Sequence, residues 1–528
     1  MKKLGELIIE LEKNGECVCP EEAKEREITV VVQDSRKLEK DCLFIAIRGA
    51  NFDGHSAITA AAKTGAAAVL AQEAEEEQKK ACEEAGCALI LTKDTRRALA
   101  LVSAAWYGHP AEKLRTVGIT GTKGKSSISF LVMSALKSLG IPCGLVGTVE
   151  VETGKAVYPA GNTTPESAVL QAYMEEMVEA GCKAMVMEVS SQGLMLHRTD
   201  GIVFDVALFT NLSPDHIGEN EHKDFEDYLH CKSLLFRQCR CAAVNGDDAH
   251  TEQILEGNTA ERIVRFGFGE DAGYRASDLS LYQAGGHLGV RFLLHGLTAE
   301  PREVALPFPG RFSAQNILAA LSAVYELLPR LGDERRPEET LDTVLKAFAG
   351  AVIKGRIEML PVSAEYTLMI DYAHNAMALE SLLTTLREYG GGRIVTLFGC
   401  GGNRAKSRRY EMGEVSGRLS DLSVITSDNP RNEEPLDIIA DIVTGMKKTD
   451  GKYVTIADRK EAIRYCLENA EKGDIIVLAG KGHEDYQEIR GVKHPMDERR
   501  LVRDVLKELG KTEGVQRMEQ AYPFLAEN

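Results

Sequence analysis

The feature that most constrains the fold is a glycine-rich turn between an apolar run and a helical run. The apolar run LRTVGIT covers residues 114–120, and the turn that follows contains Gly121 and Gly124. Residues 126–140, SSISFLVMSALKSLG, have the apolar spacing of a helix. A strand, a glycine turn and a helix in this order predict an α/β unit whose turn binds phosphate through backbone N–H groups.

The turn itself reads GTKGKS, residues 121–126, and is a shortened form of the pattern G-x-x-x-x-G-K-[ST]. Ile119 stands where that pattern has its first glycine. We expect Lys125 to reach the phosphates of a nucleoside triphosphate and Ser126 to bind Mg²⁺. The alternative is a strand-to-helix turn that requires glycine only for its backbone geometry. Because Lys-Ser opens the helix, the phosphate-binding interpretation is favoured.

Strand-like apolar runs alternate with helical runs over most of the 528 residues. The pattern breaks near residues 107–110 and again around Gly355, which predicts three α/β domains at 1–110, 111–353 and 354–528. In open α/β sheets, ligands bind beyond the carboxyl ends of the strands. Polar residues that directly follow an apolar run are therefore the first candidates for a functional site.

Charge and composition argue against several classes of protein. The formal net charge is −17, from 63 Lys and Arg against 80 Asp and Glu, which disfavours a nucleic-acid-binding surface. The first residues have an amphipathic helical pattern rather than a signal-peptide core, and no apolar run approaches the ~18 residues of a membrane helix. The 12 cysteines form no C-x-x-C pair. We therefore expect a cytoplasmic protein with reduced thiols.

Two of the apolar runs end in candidate metal ligands. Glu188 lies at the end of the run KAMVMEV, and Asp215 and His216 follow the run DVALFTN. Carboxylate and imidazole ligands at strand ends suit Mg²⁺ or Mn²⁺ beside a triphosphate. Taken one at a time, each of these residues is more often a helix cap or a polar group satisfied by its neighbours.

Lys232 lies in an apolar helical stretch, DYLHCKSLLF, residues 227–236. A lysine in this setting most often extends along the apolar surface to solvent. The alternative is a buried, deprotonated amine. Such an amine takes up CO₂ as a carbamate, which turns a cation into a carboxylate ligand. Sequence spacing leaves both interpretations open.

Short motifs at distinctive positions extend over nearly the whole chain. They are DSR (34–36), FDGH (52–55), GTKGKS (121–126), NTTP (162–165), MEVSS (187–191), TNLSPDH (210–216), CKSLLF (231–236), GRF with Asn316, DYAH (371–374), FGCGGNR (398–404), SDNPR (427–431) and GKGHE (480–484). Together they resemble the Mur ligases, the ATP-dependent amide-forming enzymes of peptidoglycan precursor synthesis. Many separate motifs in the right order make this resemblance highly specific.

The resemblance implies an α/β protein with three domains. These are an N-terminal uridine-nucleotide-binding α/β domain, a central P-loop ATPase-like parallel-sheet domain and a C-terminal Rossmann-like domain. Within the family, the chain is most similar to members that add the third amino acid to UDP-MurNAc-L-Ala-D-Glu through an acyl phosphate. The implied substrates are that nucleotide, ATP and meso-diaminopimelate, and Mg²⁺ is the implied metal. The implied protein is a cytoplasmic monomer without nucleic-acid or membrane partners.

The family's residue roles carry over position by position. The implied ATP contacts are Gly121, Thr122, Lys123, Gly124, Lys125, Ser126, Ser127, Asn316, Arg356, Asp371 and His374. The implied UDP-MurNAc-dipeptide contacts are Ser35, Arg36, Asn162, Thr163, Thr164, Ser190 and Arg198. The implied metal ligands are Ser126, Glu188, His216 and Lys232 as its CO₂-derived carbamate. Catalytic roles are implied for Lys125, Glu188, His216, Lys232 and His374, and contacts to the incoming amino acid for Arg404, Asn429, Arg431, Gly480 and Glu484.

The arginine of the SDNPR motif implies which amino acid is added. In the family, arginine at this position goes with meso-diaminopimelate, and the matching residue here is Arg431. A guanidinium group binds the distal carboxylate of that amino acid in bidentate fashion, whereas it repels the distal ammonium of lysine. The alternative is that Arg431 pairs within its own loop, with Glu433 or Glu434.

Several positions depart from the family pattern. Lys123 replaces an asparagine, Gln192 a histidine, and Ala376-Met377 a Pro-Asp pair, while Ser126-Ser127 replaces Thr-Thr. Asn403 and Ala405 also stand where aspartates are common. These departures leave two alternatives open, a diverged Mur ligase that uses L-lysine or another amino acid and a non-catalytic nucleotide-binding paralogue. A third alternative is a related ligase that shares the glycine turn and the central domain, such as a folylpolyglutamate synthase. The last would lack a uridine-binding first domain, which DSR and FDGH indicate here.

Overall fold

The computed structural model describes residues 1–49, 52–215, 217–218 and 221–526, so the predicted metal ligand His216 lies outside the described residues. The chain forms two compact units, Met1–Tyr274 with Ala319–Val344 and Arg275–Leu318 with Leu345–Asn528. In the described part of the chain, no helix is both long and apolar enough to span a membrane.

The N-terminal part of the first unit is built on a parallel sheet with the strand order β3-β4-β5-β6. Strands β4 and β5 are buried throughout, as expected for a parallel sheet covered on both faces. The elements are β1 (Lys2–Lys3), α1 (Leu4–Lys13), α2 (Glu21–Lys24), β2 (Glu27–Ile28), β3 (Val31–Val32), β4 (Leu43–Ile45), α3 (Ile58–Thr64), β5 (Ala68–Ala71), α4 (Glu76–Glu84), β6 (Ala88–Leu91), α5 (Thr95–Trp106) and α6 (Pro110–Lys113).

A second sheet of the first unit carries the glycine turn. Within this unit its strand order is β10-β9-β8-β11-β7-β12-β13-β14. The six strands β8, β11, β7, β12, β13 and β14 are parallel. The elements are β7 (Arg115–Thr120), α7 (Lys125–Ser138), β8 (Cys143–Val146), β9 (Glu150–Glu152), β10 (Val157–Pro159), α8 (Ser167–Glu179), β11 (Ala184–Glu188), α9 (Ser191–Met195), β12 (Phe204–Phe209), α10 (Phe225–Ser233), β13 (Cys239–Asn245), α11 (Thr251–Ile254) and β14 (Arg262–Gly267).

The second unit contains a six-stranded sheet of order β18-β19-β23-β20-β21-β22, in which all strands except β18 are parallel. Antiparallel strands β15 to β17 and the hairpin β24-β25 complete its strands. The elements are β15 (Tyr274–Ala284), β16 (His287–His295), β17 (Arg302–Leu306), β18 (Glu358–Leu360), β19 (Thr367–Asp371), α14 (Ala376–Arg387), β20 (Ile394–Phe398), α15 (Lys406–Leu419), β21 (Leu422–Ile425), α16 (Pro435–Met446), β22 (Tyr453–Thr455), α17 (Arg459–Glu468), β23 (Ile475–Ala479), β24 (Tyr486–Ile489), β25 (Val492–Pro495), α18 (Glu498–Glu508) and α19 (Thr512–Ala521). Helices α12 (Arg311–Leu327) and α13 (Pro337–Gly350) contain the boundaries between the units.

The two strand orders bring distant motifs to common sheet edges. In the first unit, β7 lies between β11 and β12, so the glycine turn is flanked by Glu188 on one side and Thr210 on the other. In the second unit, β19, β23, β20 and β21 are neighbours, so the DYAH, GKGHE, FGCGGNR and SDNPR motifs follow adjacent strands. Each edge therefore collects polar groups where open α/β sheets bind ligands. The predicted α/β fold class is confirmed.

Candidate active site

The glycine turn between β7 and α7 is held by the segment that follows β12. The backbone N–H of Thr122 donates to the Asn211 carbonyl (2.9 Å), and that of Lys123 donates to Asn211 Oδ1 (2.9 Å). The Lys123 carbonyl in turn accepts from Thr210 Oγ1 (2.7 Å). Gly124, with φ of 91°, directly precedes α7. The turn is thus fixed at a helix N-terminus, the position that favours an anion.

Gly121→Ala is expected to lower the free energy of unfolding by about 3 kcal/mol, because φ is 142° and an added Cβ would collide with Thr210 Oγ1 and the Asn211 backbone. Gly140→Ala is the matched control, since Gly140 also has a positive φ (80°) but no atom within 4 Å of an added Cβ. Its expected cost is about 1 kcal/mol. Chemical denaturation measures both free energies of unfolding. Equal losses in the two variants would show that glycine is needed at 121 only for its positive φ and not for the close approach of Thr210 and Asn211.

Two lysines converge on this turn. Lys125 Nζ donates to the carbonyl oxygens of Gly121 (2.8 Å) and Thr122 (3.1 Å), and Lys232 Nζ donates to that of Gly121 (2.9 Å). Lys232 is only 2 % exposed, so its side chain does not extend to solvent. Burial, with the nearby charge of Lys125, holds the pKa of Lys232 well below its ordinary value. Burial thus favours the neutral form of the Lys232 amine, which lies on α10 beside the turn.

Tyr228 connects the helix of Lys232 to the turn. Its ring centroid lies 4.5 Å from Lys232 Nζ, and its hydroxyl lies 3.1 Å from Thr122 Oγ1. Thr122 Oγ1 also donates to the Ser213 carbonyl (3.2 Å) and accepts from the Ser213 N–H (3.1 Å). Burial raises the pKa of Tyr228 to about 12, so the hydroxyl stays neutral at physiological pH. The contact fixes α10 against the glycine turn.

Glu188 at the end of β11 is buried and oriented by neutral donors. Its Oε1 accepts from the Thr148 N–H (2.9 Å) and its Oε2 from Thr148 Oγ1 (3.0 Å). Thr148 Oγ1 also lies 3.0 Å from Thr163 Oγ1. No described cation pairs with this carboxylate, which leaves its remaining lone pairs for a bound ion. Ser126 lies in the first turn of α7, which follows the neighbouring strand β7. The Glu188 carboxylate and the Ser126 hydroxyl both offer oxygen ligands, which Mg²⁺ prefers.

The residues implied for the dipeptide-bearing nucleotide fall into two places in the first unit. Thr164 Oγ1 donates to the Glu188 carbonyl (3.1 Å) and accepts from the Ser190 N–H (2.9 Å), and Arg198 Nη1 donates to the Thr164 carbonyl (2.9 Å). Ser190 Oγ caps α9. Asn162 is exposed on the loop before Thr163. These residues surround the end of β11.

Ser35 and Arg36 lie elsewhere, in a single helical turn of the N-terminal part. Arg36 donates through Nε and Nη2 to the two carboxylate oxygens of Asp34 at 2.9 and 2.8 Å. These bonds lower the pKa of Asp34 to about 2. The fork-shaped pairing orders the exposed guanidinium.

In the second unit, Asp371, Arg356 and His374 meet at the end of β19. The Asp371 carboxylate accepts from the N–H groups of Ile357 and Ala373, both at 2.8 Å. The Arg356 guanidinium lies 5.1 Å from the centroid of the Tyr372 ring, and the His374 ring lies 4.5 Å from it. Burial raises the pKa of Asp371. Asn316, the fourth residue implied for this group, lies partly buried on α12.

Buried Asn429 and partly buried Glu484 form a cluster beyond β21 and β23. Asn429 Nδ2 donates to Glu484 Oε2 (2.9 Å), and Lys481 Nζ donates to the same oxygen (2.7 Å) and to Asn429 Oδ1 (2.9 Å). Gly480 has φ of 108°, and a Cβ there would lie 2.8 Å from Asp428 Oδ2. Glycine is therefore needed for the close approach of the two loops.

Arg431 pairs with Glu488 of β24. Its Nε donates to Glu488 Oε2 (3.0 Å) and its Nη1 to the Gly402 carbonyl (2.8 Å). The sequence-based alternative, pairing with Glu433 or Glu434, is wrong, because those side chains bond to Arg409 (2.7 Å) and Arg490 (3.4 Å). Arg404 is exposed on the loop that precedes α15.

Three residues that hold these sites together were not singled out from the sequence: Thr148, Tyr228 and Lys481. Tyr228 precedes Lys232 by four residues, which places both on one face of α10. Lys481 lies inside the GKGHE motif, of which only Gly480 and Glu484 had been assigned. Thr148 had no sequence signal, because its role depends on the register between β8 and β11.

Domain models from known proteins match three parts of the chain. "Mur ligase family, catalytic domain" matches residues 27–107, "Mur ligase middle domain" residues 119–324 and "Mur ligase, glutamate ligase domain" residues 355–482. A curated relative from Caldanaerobacter subterraneus is 39% identical over 487 residues, which cover 92% of this chain and 96% of the relative. The chain belongs to the Mur ligase family. The predicted resemblance and three-domain architecture are confirmed.

Two relatives of this Mur ligase carry the same name. The Caldanaerobacter protein and one from Parabacteroides distasonis, 39% identical over 91% of this chain and 94% of its own length, are both named UDP-N-acetylmuramoyl-L-alanyl-D-glutamate--2,6-diaminopimelate ligase. A solved structure of a ligase with that name has a TM-score of 0.69 and 27% identity, covering 97% of this chain and all of its own. A Mycobacterium tuberculosis folylpolyglutamate synthase, with a TM-score of 0.53 and 17% identity over 73% of this chain and 92% of its own, shares the fold alone.

Proposed function

We propose that this Mur ligase adds meso-diaminopimelate to UDP-MurNAc-L-Ala-D-Glu in an ATP-dependent, ADP-forming reaction of peptidoglycan precursor synthesis. The observation that carries the proposal is the convergence of Lys125, Lys232 and Glu188 around one phosphate loop. The names of the relatives support the choice of substrates. On this proposal the protein works in the cytoplasm as a monomer, on small-molecule substrates.

The reaction has to activate a carboxylate, which is a poor electrophile. Transfer of the γ-phosphoryl group of ATP to the D-glutamyl carboxylate gives ADP and an acyl phosphate. The amine of the incoming amino acid then attacks the acyl carbon, loses a proton, and phosphate leaves as the amide bond forms. The protein contributes positioning and charge stabilisation, as in other phosphoryl transfers. Lys125 supplies the cation beside the phosphate loop, and the loop N–H groups orient the phosphates.

Ser126, Glu188 and Lys232 are the described residues that would hold Mg²⁺. The bound ion would neutralise charge on the triphosphate. Lys232 suits carbamate formation because its buried amine reacts with CO₂ to give a carbamate and a proton. The product places a negative charge beside Lys125, where a second ammonium would be repelled. His216 was implied as a further ligand and remains a prediction.

The other implied contacts are assigned by domain. Domain 1–110 contributes Ser35 and Arg36 to the uridine nucleotide, and domain 111–353 adds Asn162, Thr163, Thr164, Ser190 and Arg198. Asn316, Arg356, Asp371 and His374 are assigned to ATP, supported by the cluster at the end of β19. In domain 354–528, Arg404, Asn429, Arg431, Gly480 and Glu484 are assigned to the amino acid.

Phosphate release by the purified protein tests the proposed function. We expect release to require UDP-MurNAc-L-Ala-D-Glu, ATP, Mg²⁺ and an amino acid together, with meso-diaminopimelate preferred over L-lysine and L-ornithine. Omission of each component in turn is the control. No release with any of the three amino acids would favour a non-catalytic paralogue, and preference for L-lysine would contradict the assignment of Arg431.

A further inference from the structure

Lys481 is a fully buried cation in the second unit, with 0% relative exposure, at the centre of the Asn429–Glu484 cluster. We propose that Lys481 is the positioning residue that sets the geometry of the amino-acid site by fixing the orientations of Asn429 and Glu484. This inference rests on the proposed function, which assigns those two side chains to the incoming amino acid. It adds a residue that does not itself contact the substrate.

The Asn429 carboxamide has one orientation that satisfies its neighbours. Its Oδ1 accepts from Lys481 Nζ and from the Glu488 N–H, both at 2.9 Å. Its Nδ2 donates to Glu484 Oε2. Rotating the amide by half a turn would oppose its NH₂ group to two donors and its oxygen to a carboxylate. Lys481 therefore selects the rotamer that keeps the second N–H of Asn429 for another acceptor.

Glu484 is oriented by the same cation. Its Oε2 accepts from both Lys481 Nζ and Asn429 Nδ2, whereas its Oε1 has no hydrogen bond to any described residue. The side chain keeps 18% of its surface exposed. The cluster thus presents an N–H donor and a carboxylate acceptor side by side. That pair is complementary to an amino acid centre, whose carboxylate accepts and whose ammonium donates.

A purely structural role for Lys481 is the competing explanation. A buried ion pair often contributes little net stability compared with apolar side chains of the same volume. Lys481→Met keeps a long unbranched side chain and removes the charge. The Asn429 carboxamide and the Glu484 carboxylate then lose their common donor, while the methionine still fills the space of the lysine side chain. Selective loss of amino-acid binding then separates positioning from folding.

Steady-state kinetics of full-length Lys481→Met tests the inference. We expect the KM for meso-diaminopimelate to rise about 10- to 100-fold, since a hydrogen-bonded charged pair is disrupted. The KM values for ATP and UDP-MurNAc-L-Ala-D-Glu should stay within about twofold of the wild type, because positioning is confined to this cluster. Lys448→Met, which removes an exposed lysine 3.3 Å from Glu414, is the matched control and should leave all three values unchanged.

Two further measurements keep the outcome decisive. Lys481→Arg should retain more amino-acid affinity than Lys481→Met, and adding Glu484→Gln to Lys481→Met should cost less than the sum of the single effects. Equal rises in all three KM values, with a lowered melting temperature, would overturn the inference in favour of a structural role. An unchanged amino-acid KM would overturn it while leaving the proposed function intact. Absence of amino-acid-dependent phosphate release in the wild type would overturn both.

Discussion

Lys232→Ala is expected to lower the ligation rate by at least about 100-fold, because it removes a charged group positioned beside the phosphate loop. Lys232 Nζ and Lys125 Nζ donate to the same Gly121 carbonyl, so two ammonium groups there would repel each other. A carbamate on Lys232 removes that repulsion and places an anion where a divalent cation beside ATP needs one. Added bicarbonate should not restore activity, since alanine has no amine to carboxylate.

The loss must be separated from misfolding. Lys183→Ala, at an exposed lysine of the same unit, is the control and should retain full activity. Thermal unfolding of both variants reports stability. In ¹³C-labelled bicarbonate, the wild-type protein should give a carbamate carbon signal that Lys232→Ala lacks. Full ligation by Lys232→Ala would contradict the carbamate role. The absence of the ¹³C carbamate signal from an active wild-type protein would contradict it as well.

The sequence predicted the α/β fold and the motifs of both sites because these depend on local patterns. The apolar runs around residues 115–120 and 184–188 became neighbouring strands β7 and β11, and the glycine turn and Glu188 lie at their ends. The order of strands in the sheet could not be predicted from the sequence. Strands β7 and β8 follow each other along the chain, yet β11 lies between them in the sheet. Local patterns do not encode which parallel strands become neighbours.

Partners of individual side chains were predicted least well. The sequence offered Glu433 and Glu434 as partners of Arg431 because they are close along the chain. In the structure, Arg431 pairs with Glu488, which is 57 residues away and lies in the β24–β25 hairpin. Glu433 instead accepts a hydrogen bond from Arg409. Likewise Lys481 reaches Asn429 across 52 residues. Such contacts depend on tertiary packing, so a motif identifies the residues of a site better than the bonds between them.

Arg431→Ala is expected to lower kcat/KM for meso-diaminopimelate about 10- to 100-fold, the effect of losing charged hydrogen bonds to a carboxylate. Glu488 binds Nε and the Gly402 carbonyl binds Nη1, so the guanidinium is fixed while Nη2 has no hydrogen bond to any described residue. A fixed guanidinium with an available N–H loses little conformational entropy on binding. Activity with L-lysine, which lacks the distal carboxylate, should not fall.

Arg490→Ala is a closely matched control for that variant. Arg431 and Arg490 have φ of 52° and 49°, so alanine at either site adopts the same left-handed backbone, and Arg490 is an exposed arginine paired with Glu434. Backbone effects should therefore be alike, and of these two alanine variants Arg431→Ala alone should change the ratio of kcat/KM for meso-diaminopimelate over L-lysine. Glu488→Gln should lower the same ratio by a smaller factor, because it loosens the guanidinium without removing it. An unchanged ratio in Arg431→Ala would mean that the Arg431–Glu488 pair serves the loop rather than the substrate.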